Sequence, residues 1–299
     1  MMELFKNVST FWVRYADYRI QKADNGKRYL TAVDGAKPEM IYPLDNAKQL
    51  VLDAVNIGLA IMGKKPRSLI EQDILKFAKN YGLLGLMTAL PTTPRFMDYH
   101  YVYLPKNDFI RDESMETETY TDLFFPFKKP TYRKDGDYVE WDVEGDVPIQ
   151  ALMLTCHAYT PIAMQMSFLR EYAEDIEWQK KVFKSFAFNF LSVFFYYNDS
   201  LNEDQKETLR WGMRMFEGSS PTCHIALENN SPVLVWDFHS LLHAIQMAFA
   251  FTMTDPHSPI KLCDNCDKAF FASRQNQKFC SDRCGRHYRM KHFDDKDDK

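Results

Sequence analysis

The residues best suited to chemistry are four cysteines close together late in the chain. Cys263-Asp-Asn-Cys266 is followed by thirteen residues and then by Cys280-Ser-Asp-Arg-Cys284. Thiolates in a closed tetrahedron are the usual ligands of structural zinc. A two-residue gap lets one tight turn present Cys263 and Cys266 to the same ion, and the amides of that turn can hydrogen-bond the sulfurs. The three-residue gap of the second pair puts Cys280 just before a helix and Cys284 in its first turn. Ser281 then stands at the cap, and the helix dipole favours the Cys284 thiolate. The spacing predicts one structural zinc ion held by Cys263, Cys266, Cys280 and Cys284. The same residues allow two other arrangements: disulfides or reduced core thiols, and a three-cysteine site completed by His287. A catalytic zinc is disfavoured, because four thiols leave no position for water.

The charge around this cluster differs from that of the rest of the chain. The whole sequence of 299 residues has 37 basic and 41 acidic side chains, net −4, which as an average argues against a polyanionic partner. Between Lys268 and His292, however, seven basic residues face the single acid Asp282, net +6. Residues 1–267 hold 28 basic and 36 acidic residues, net −8, and residues 293–299 add −2. A basic cysteine module on an acidic body is the electrostatic footprint of a nucleic-acid contact. The candidate contacts are Arg274, Lys278, Arg283, Arg286, Arg289 and Lys291. Phe270 and Phe279 read as the module's small core, and Tyr288 as a stacking or covering residue. The competing reading is a solvated basic face that packs back on the acidic body.

The segment 262–292, LCDNCDKAFFASRQNQKFCSDRCGRHYRMKH, resembles the C-terminal zinc finger of the CGNR family of bacterial proteins. The matching positions are Cys263, Cys266, Phe270, Arg274, Cys280, Ser281, Cys284, Gly285 and Arg289. Arg286-His287 stands where the family has Asn-Arg, and the loops between the cysteines are shorter here. The resemblance covers about a tenth of the chain. It implies a DNA-binding transcription regulator in which a helical N-terminal domain acts as a sensor.

The elements that must position this module are read from periodicity. Hydrophobic residues make up 45% and charged residues 26% of the chain, which excludes a disordered protein. Alternation predicts strands around residues 11–15 and 29–33, with Asn25-Gly26 as a turn. Asp45 is placed to cap a helix with apolar positions from Ala47 to Ile61, ending at Gly63. Ser68 and Glu71 read as the capping box of a helix that ends at Gly82. Five prolines, with Pro91 just before them, break up residues 92–150, an excursion or a junction between lobes, with short strands at 99–104 and 138–143. Residues 148–218 read as helical, with a helix over 175–195, a break at Asn198-Asp199-Ser200 and a further helix over 202–216. Residues 223–227 and 233–236 form a hairpin around 228–232, and a helix over 240–254 leads into the cysteine module.

The predicted fold is α+β: a mostly helical body over 1–259, a four-cysteine finger of zinc-ribbon or treble-clef type over 260–293, and an acidic tail over 294–299. No segment reaches the ~20 apolar residues of a membrane span. The clustered cysteines, with no basic-then-apolar leader, suggest a cytoplasmic protein. Other candidates are weaker. Cys156-His157 sits among core-like residues. His239 and His243 are four apart on one helix face, and His224 is nearby, but none carries a metalloprotease pattern. With 11 glycines, no phosphate-cradling loop stands out. The Phe-rich stripe over 183–195 reads as core or a dimer interface. The expectation is a non-enzymatic, zinc-dependent DNA-binding protein whose body dimerises or binds a small-molecule effector. The alternatives are a protein-interaction module with a purely structural finger, and an RNA-associated factor.

Overall fold

In the computed structural model, residues 12–85, 96–104, 112–129, 132–135, 138–141, 170–196, 201–218, 221–238, 240–255, 260–274 and 276–292 are described. Cys156, His157, His239 and the acidic tail lie outside them. The chain opens with four short strands: β1 (Trp12–Tyr15), β2 (Tyr18–Lys22), β3 (Arg28–Ala32) and β4 (Pro38–Ile41). β1 pairs antiparallel with β4, and β2 with β3. Between β2 and β3 the expected turn forms, with Gly26 in the left-handed region (φ 79°) and the Asn25 side chain accepting from the Lys27 amide.

The first long helix, α1 (Ala47–Met62), begins after a short 3-10 turn over Pro43–Asn46, so Asp45 lies in that turn and not at a cap. Its buried residues include Leu50, Val51, Ala54, Val55 and Gly58 of the predicted stripe, and Ile57 beside it. α2 (Arg67–Tyr81) starts one residue before the predicted cap. Pro66 precedes it, and no capping box forms at Ser68. Glu71 instead receives a two-pronged bond from Arg28 of β3 (2.5 and 2.9 Å) and a third from Arg67. The long-range ion pair therefore takes the carboxylate that a capping box would have used.

Next come β5 (Tyr101–Tyr103) and β6 (Ser114–Glu116), an antiparallel pair, then α3 (Thr117–Phe124) and the paired strands β7 (Tyr132–Asp135) and β8 (Tyr138–Trp141). β9 (Ala173–Asp175) interrupts a stretch read as helical and adds a third strand beside β3. The cause is tertiary. The buried Glu174 carboxylate accepts from the Leu84 and Gly85 amides (3.1 and 2.6 Å), the Tyr172 hydroxyl (3.1 Å) and the Gln179 side chain. Burial pushes its pKa upward, against the pull of these four donors.

α4 (Ile176–Tyr196) carries the phenylalanine stripe, with Phe183, Phe186 and Phe190 buried and Phe188 and Phe195 exposed. Each buried ring contributes ~2–3 kcal/mol of transfer free energy. α5 (Glu203–Arg214) is held at its start by a reciprocal Asn202–Gln205 capping box. β10 (Thr222–Glu228) and β11 (Ser231–Asp237) form the predicted hairpin, but on a tighter turn: only Asn229 and Asn230 connect them, at φ 49° and 62°. Asparagine tolerates the two positive φ values such a turn needs. α6 (Leu241–Thr254) follows where a helix is expected, with Ser240 outside it as the cap, its hydroxyl accepting from the His243 amide.

The protein is α+β and mostly helical, with α1 at the centre against α2, α4 and α6. The closest approach is at Gly58, where a β-carbon would lie 2.0 Å from the Phe183 carbonyl oxygen. That contact explains a glycine inside a helix, where it costs ~1 kcal/mol against alanine. No helix among the described residues is long and apolar enough to cross a membrane.

Candidate metal centre

After α6 the chain forms β12 (Ile260–Leu262), β13 (Ala269–Phe271) and α7 (Asp282–Lys291). β12 and β13 pair antiparallel, and the first cysteine pair lies in the turn between them. That turn is closed by the Cys263 amide donating to the Lys268 carbonyl (2.9 Å) and the Asp267 amide donating to the Cys263 carbonyl (3.0 Å), with Asp267 at φ 55°. The Asp264 amide donates to the Lys278 carbonyl at 3.1 Å, tying the turn to the segment before Cys280. Gln277 stitches that segment: its side chain accepts from Ser273 and donates to the Phe279 carbonyl.

The second cysteine pair comes from a helix start, so the finger has the treble-clef arrangement of one turn and one helix N-terminus. Ser281 caps α7, its hydroxyl accepting from the Cys284 amide at 3.3 Å. Gly285 is buried, and a β-carbon there would meet the Phe279 ring at 3.3 Å. Its lack of a side chain lets α7 lie against Phe279, whose ring also contacts Tyr288 at 5.2 Å between centroids. Phe279 and Phe270 fill the roles read from the sequence, with Phe270 buried within β13 and Phe279 half-buried against α7.

The four sulfurs converge. All lie within 4.8 Å of one another, with Cys266 to Cys280 at 3.7 Å and Cys280 to Cys284 at 3.5 Å. All four thiols are free, so the disulfide arrangement does not occur. The Cys280 amide donates to the Cys263 sulfur at 3.4 Å, the kind of outer bond that orients a metal-ligating thiolate. Donation from Asn265 and then Ser281 lowers the Cys284 thiol to about 7. Burial, against a backbone donor at Lys268, pushes Cys266 up to about 12 and also raises Cys280. The Cys284 thiol is thus shifted toward ionisation, while Cys266 and Cys280 are shifted toward the protonated form, which a bound cation would oppose. The four cysteines could hold a metal ion. His287 lies outside the group, on the exposed side of α7.

All six candidate cations, Arg274, Lys278, Arg283, Arg286, Arg289 and Lys291, are exposed. Among the described residues none of them forms a salt bridge. At about 100° per residue, Cys284, Gly285 and Tyr288 share the inner face of α7, and Arg283, Arg286 and Met290 the outer. Asn56 of α1 matters to the finger and was missed. Its side chain donates to the Ala269 carbonyl (3.1 Å) and accepts from the Ala269 amide (2.8 Å), as a neighbouring strand would. Lys48, one α1 face further on, sits over the Phe271 ring at 5.2 Å, and Ala269 belongs to the main core. The only sequence signal was a polar residue inside the otherwise apolar second half of the helix, residues 54–62. Comparison with known proteins finds no matching family model, no matching curated protein and no matching solved structure, so the functional reading rests on the geometry of this centre.

Proposed function

We propose that the protein is a zinc-dependent DNA-binding protein, a transcription regulator that touches DNA through its C-terminal finger. Zinc suits the donor set: thiolate bonds of about 2.3 Å give a tetrahedron with edges of about 3.8 Å, close to the sulfur separations of 3.5 and 3.7 Å. The ion would fold the finger, since some thirty residues bury too little to fold alone. The observation that carries the reading is the solvent-exposed surface of α7 and its flanking loop. Six cations stand exposed there, on a helix whose inner face is fixed by the cysteines. Phosphates are a natural counter-charge for such a surface, and among the described residues no carboxylate of the acidic body forms a salt bridge with any of these six cations. A body that dimerises or binds a small effector would then set when the finger engages.

The test is a mobility shift with the full, zinc-saturated chain on a duplex DNA pool. Six phosphate contacts give a slope of log K against log salt near −5, and Arg286→Ala/Arg289→Ala reduces it by about 2. A slope near zero, or equal binding by the double variant, refutes the reading. Stronger competition by single-stranded or duplex RNA than by DNA would move the function to an RNA-associated factor.

A further inference from the structure

A second surface, on β5 and β6, has the opposite chemistry. Strand alternation puts Tyr101 and Tyr103 on one face and Val102 on the other. Val102 is buried, while Tyr99, Tyr101 and Tyr103 are 56%, 57% and 49% exposed. The register places Glu116 opposite Tyr101 and Ser114 opposite Tyr103, on the same outward face. The Tyr103 hydroxyl donates to Glu113 at 2.8 Å, adding a second exposed carboxylate.

The face is held firmly. The Thr117 hydroxyl donates to the Tyr99 carbonyl (2.7 Å), the Thr117 amide to the His100 carbonyl (2.9 Å), and the Leu104 amide to the Glu113 carbonyl (2.6 Å). Behind it, Phe96 and Tyr120 pack edge to face at 5.4 Å. The three rings are therefore only about half covered by the protein and are presented to solvent on a rigid backing, with Tyr101 braced edge to face by His100 at 4.7 Å.

We infer that this face is a docking site for a cationic peptide segment, rich in arginine, of a partner protein. The argument is charge and ring complementarity. Guanidinium groups stack on tyrosine faces and bridge to carboxylates, so a face of alternating rings and carboxylates offers both contacts to the same side chain. Phosphates would be repelled by Glu113 and Glu116, which separates this surface from the finger. Lysine satisfies the carboxylates but stacks less well, so arginine is the preferred cation.

The experiment is calorimetric titration of the full zinc-saturated chain with hexa-arginine, hexalysine and cellohexaose. The expected result is tighter binding of hexa-arginine than hexalysine, and no binding of the neutral sugar. Tyr101→Ala/Tyr103→Ala weakens hexa-arginine about tenfold, and Tyr101→Phe/Tyr103→Phe restores it. These side chains are exposed, and circular dichroism confirms that each variant is folded. Glu116→Gln also weakens binding, whereas Asp24→Asn, an exposed acid on the β2–β3 turn, does not. Equal loss in Glu116→Gln and Asp24→Asn would mean diffuse attraction to an acidic body, and would overturn the inference. Unchanged binding by the tyrosine-to-alanine variant, or binding of cellohexaose instead, would overturn it too.

Discussion

Asn56 is the point at which the body and the finger can be tested as one structure. Its side-chain amide makes two hydrogen bonds to the backbone of Ala269, a residue 4% exposed. Each bond is worth about 1 kcal/mol net, and each group stranded by truncation costs about 1–3 kcal/mol. Asn56→Ala should therefore lower stability by about 2–4 kcal/mol. At about 2–3 °C per kcal/mol for a chain of this length, Tm falls by about 5–10 °C. Asn56→Asp keeps the acceptor and loses the donor, so it should fall between the two. The assay is thermal unfolding of the body's helices by circular dichroism, with excess zinc and again with a chelator. On the proposed zinc-dependent reading, the chelator should unfold the finger and let water reach both Ala269 groups, and the substitution should then cost almost nothing. The two perturbations are then strongly non-additive. If Asn56→Ala shifts Tm equally with zinc and with chelator, the finger does not depend on α1 and the reasoning fails.

Two more substitutions probe the body. Gly58→Ala puts a methyl group against the Phe183 backbone and the Ala187 β-carbon at 2.7 Å, and backbone cannot move aside as a side chain can. The expected cost is about 3 kcal/mol or more by urea unfolding, and a neutral result would refute the close α1–α4 approach. Glu71 is held at about 2, first by the Arg28 bond and then by Arg67, beside the burial that opposes them. A depressed folded value means stability that is present above the unfolded value of about 4.3 and is lost as pH falls toward about 2. Glu71→Gln should thus be less stable than the parent at pH 7 by about 1–2 kcal/mol, with the gap closing between pH 4 and 2. A gap independent of pH would remove the ion pair as its cause.

The metal centre was legible in the sequence because its geometry is local. Two short spacings fix how far apart the sulfurs of each pair can lie, and Ser281 marks the helix start that delivers Cys284. The long helices were legible for the same reason: an apolar stripe repeats within the window that folds. The strand at Ala173–Asp175 and the empty capping box at Ser68 were not. In both, a carboxylate that local rules assign to a helix is drawn away by distant partners, Glu174 by the Leu84–Gly85 amides and Glu71 by Arg28.

By itself the sequence determined the α+β class, the four-cysteine cluster and the concentration of positive charge beside it, all of which follow from residue type and short spacing. Only the tertiary structure decided that the finger is seated on α1 through Asn56, 213 residues away in the chain, and that Tyr101 and Tyr103 of β5 face solvent beside Glu113 and Glu116. Such contacts depend on which surfaces meet when the core closes. No local pattern encodes that.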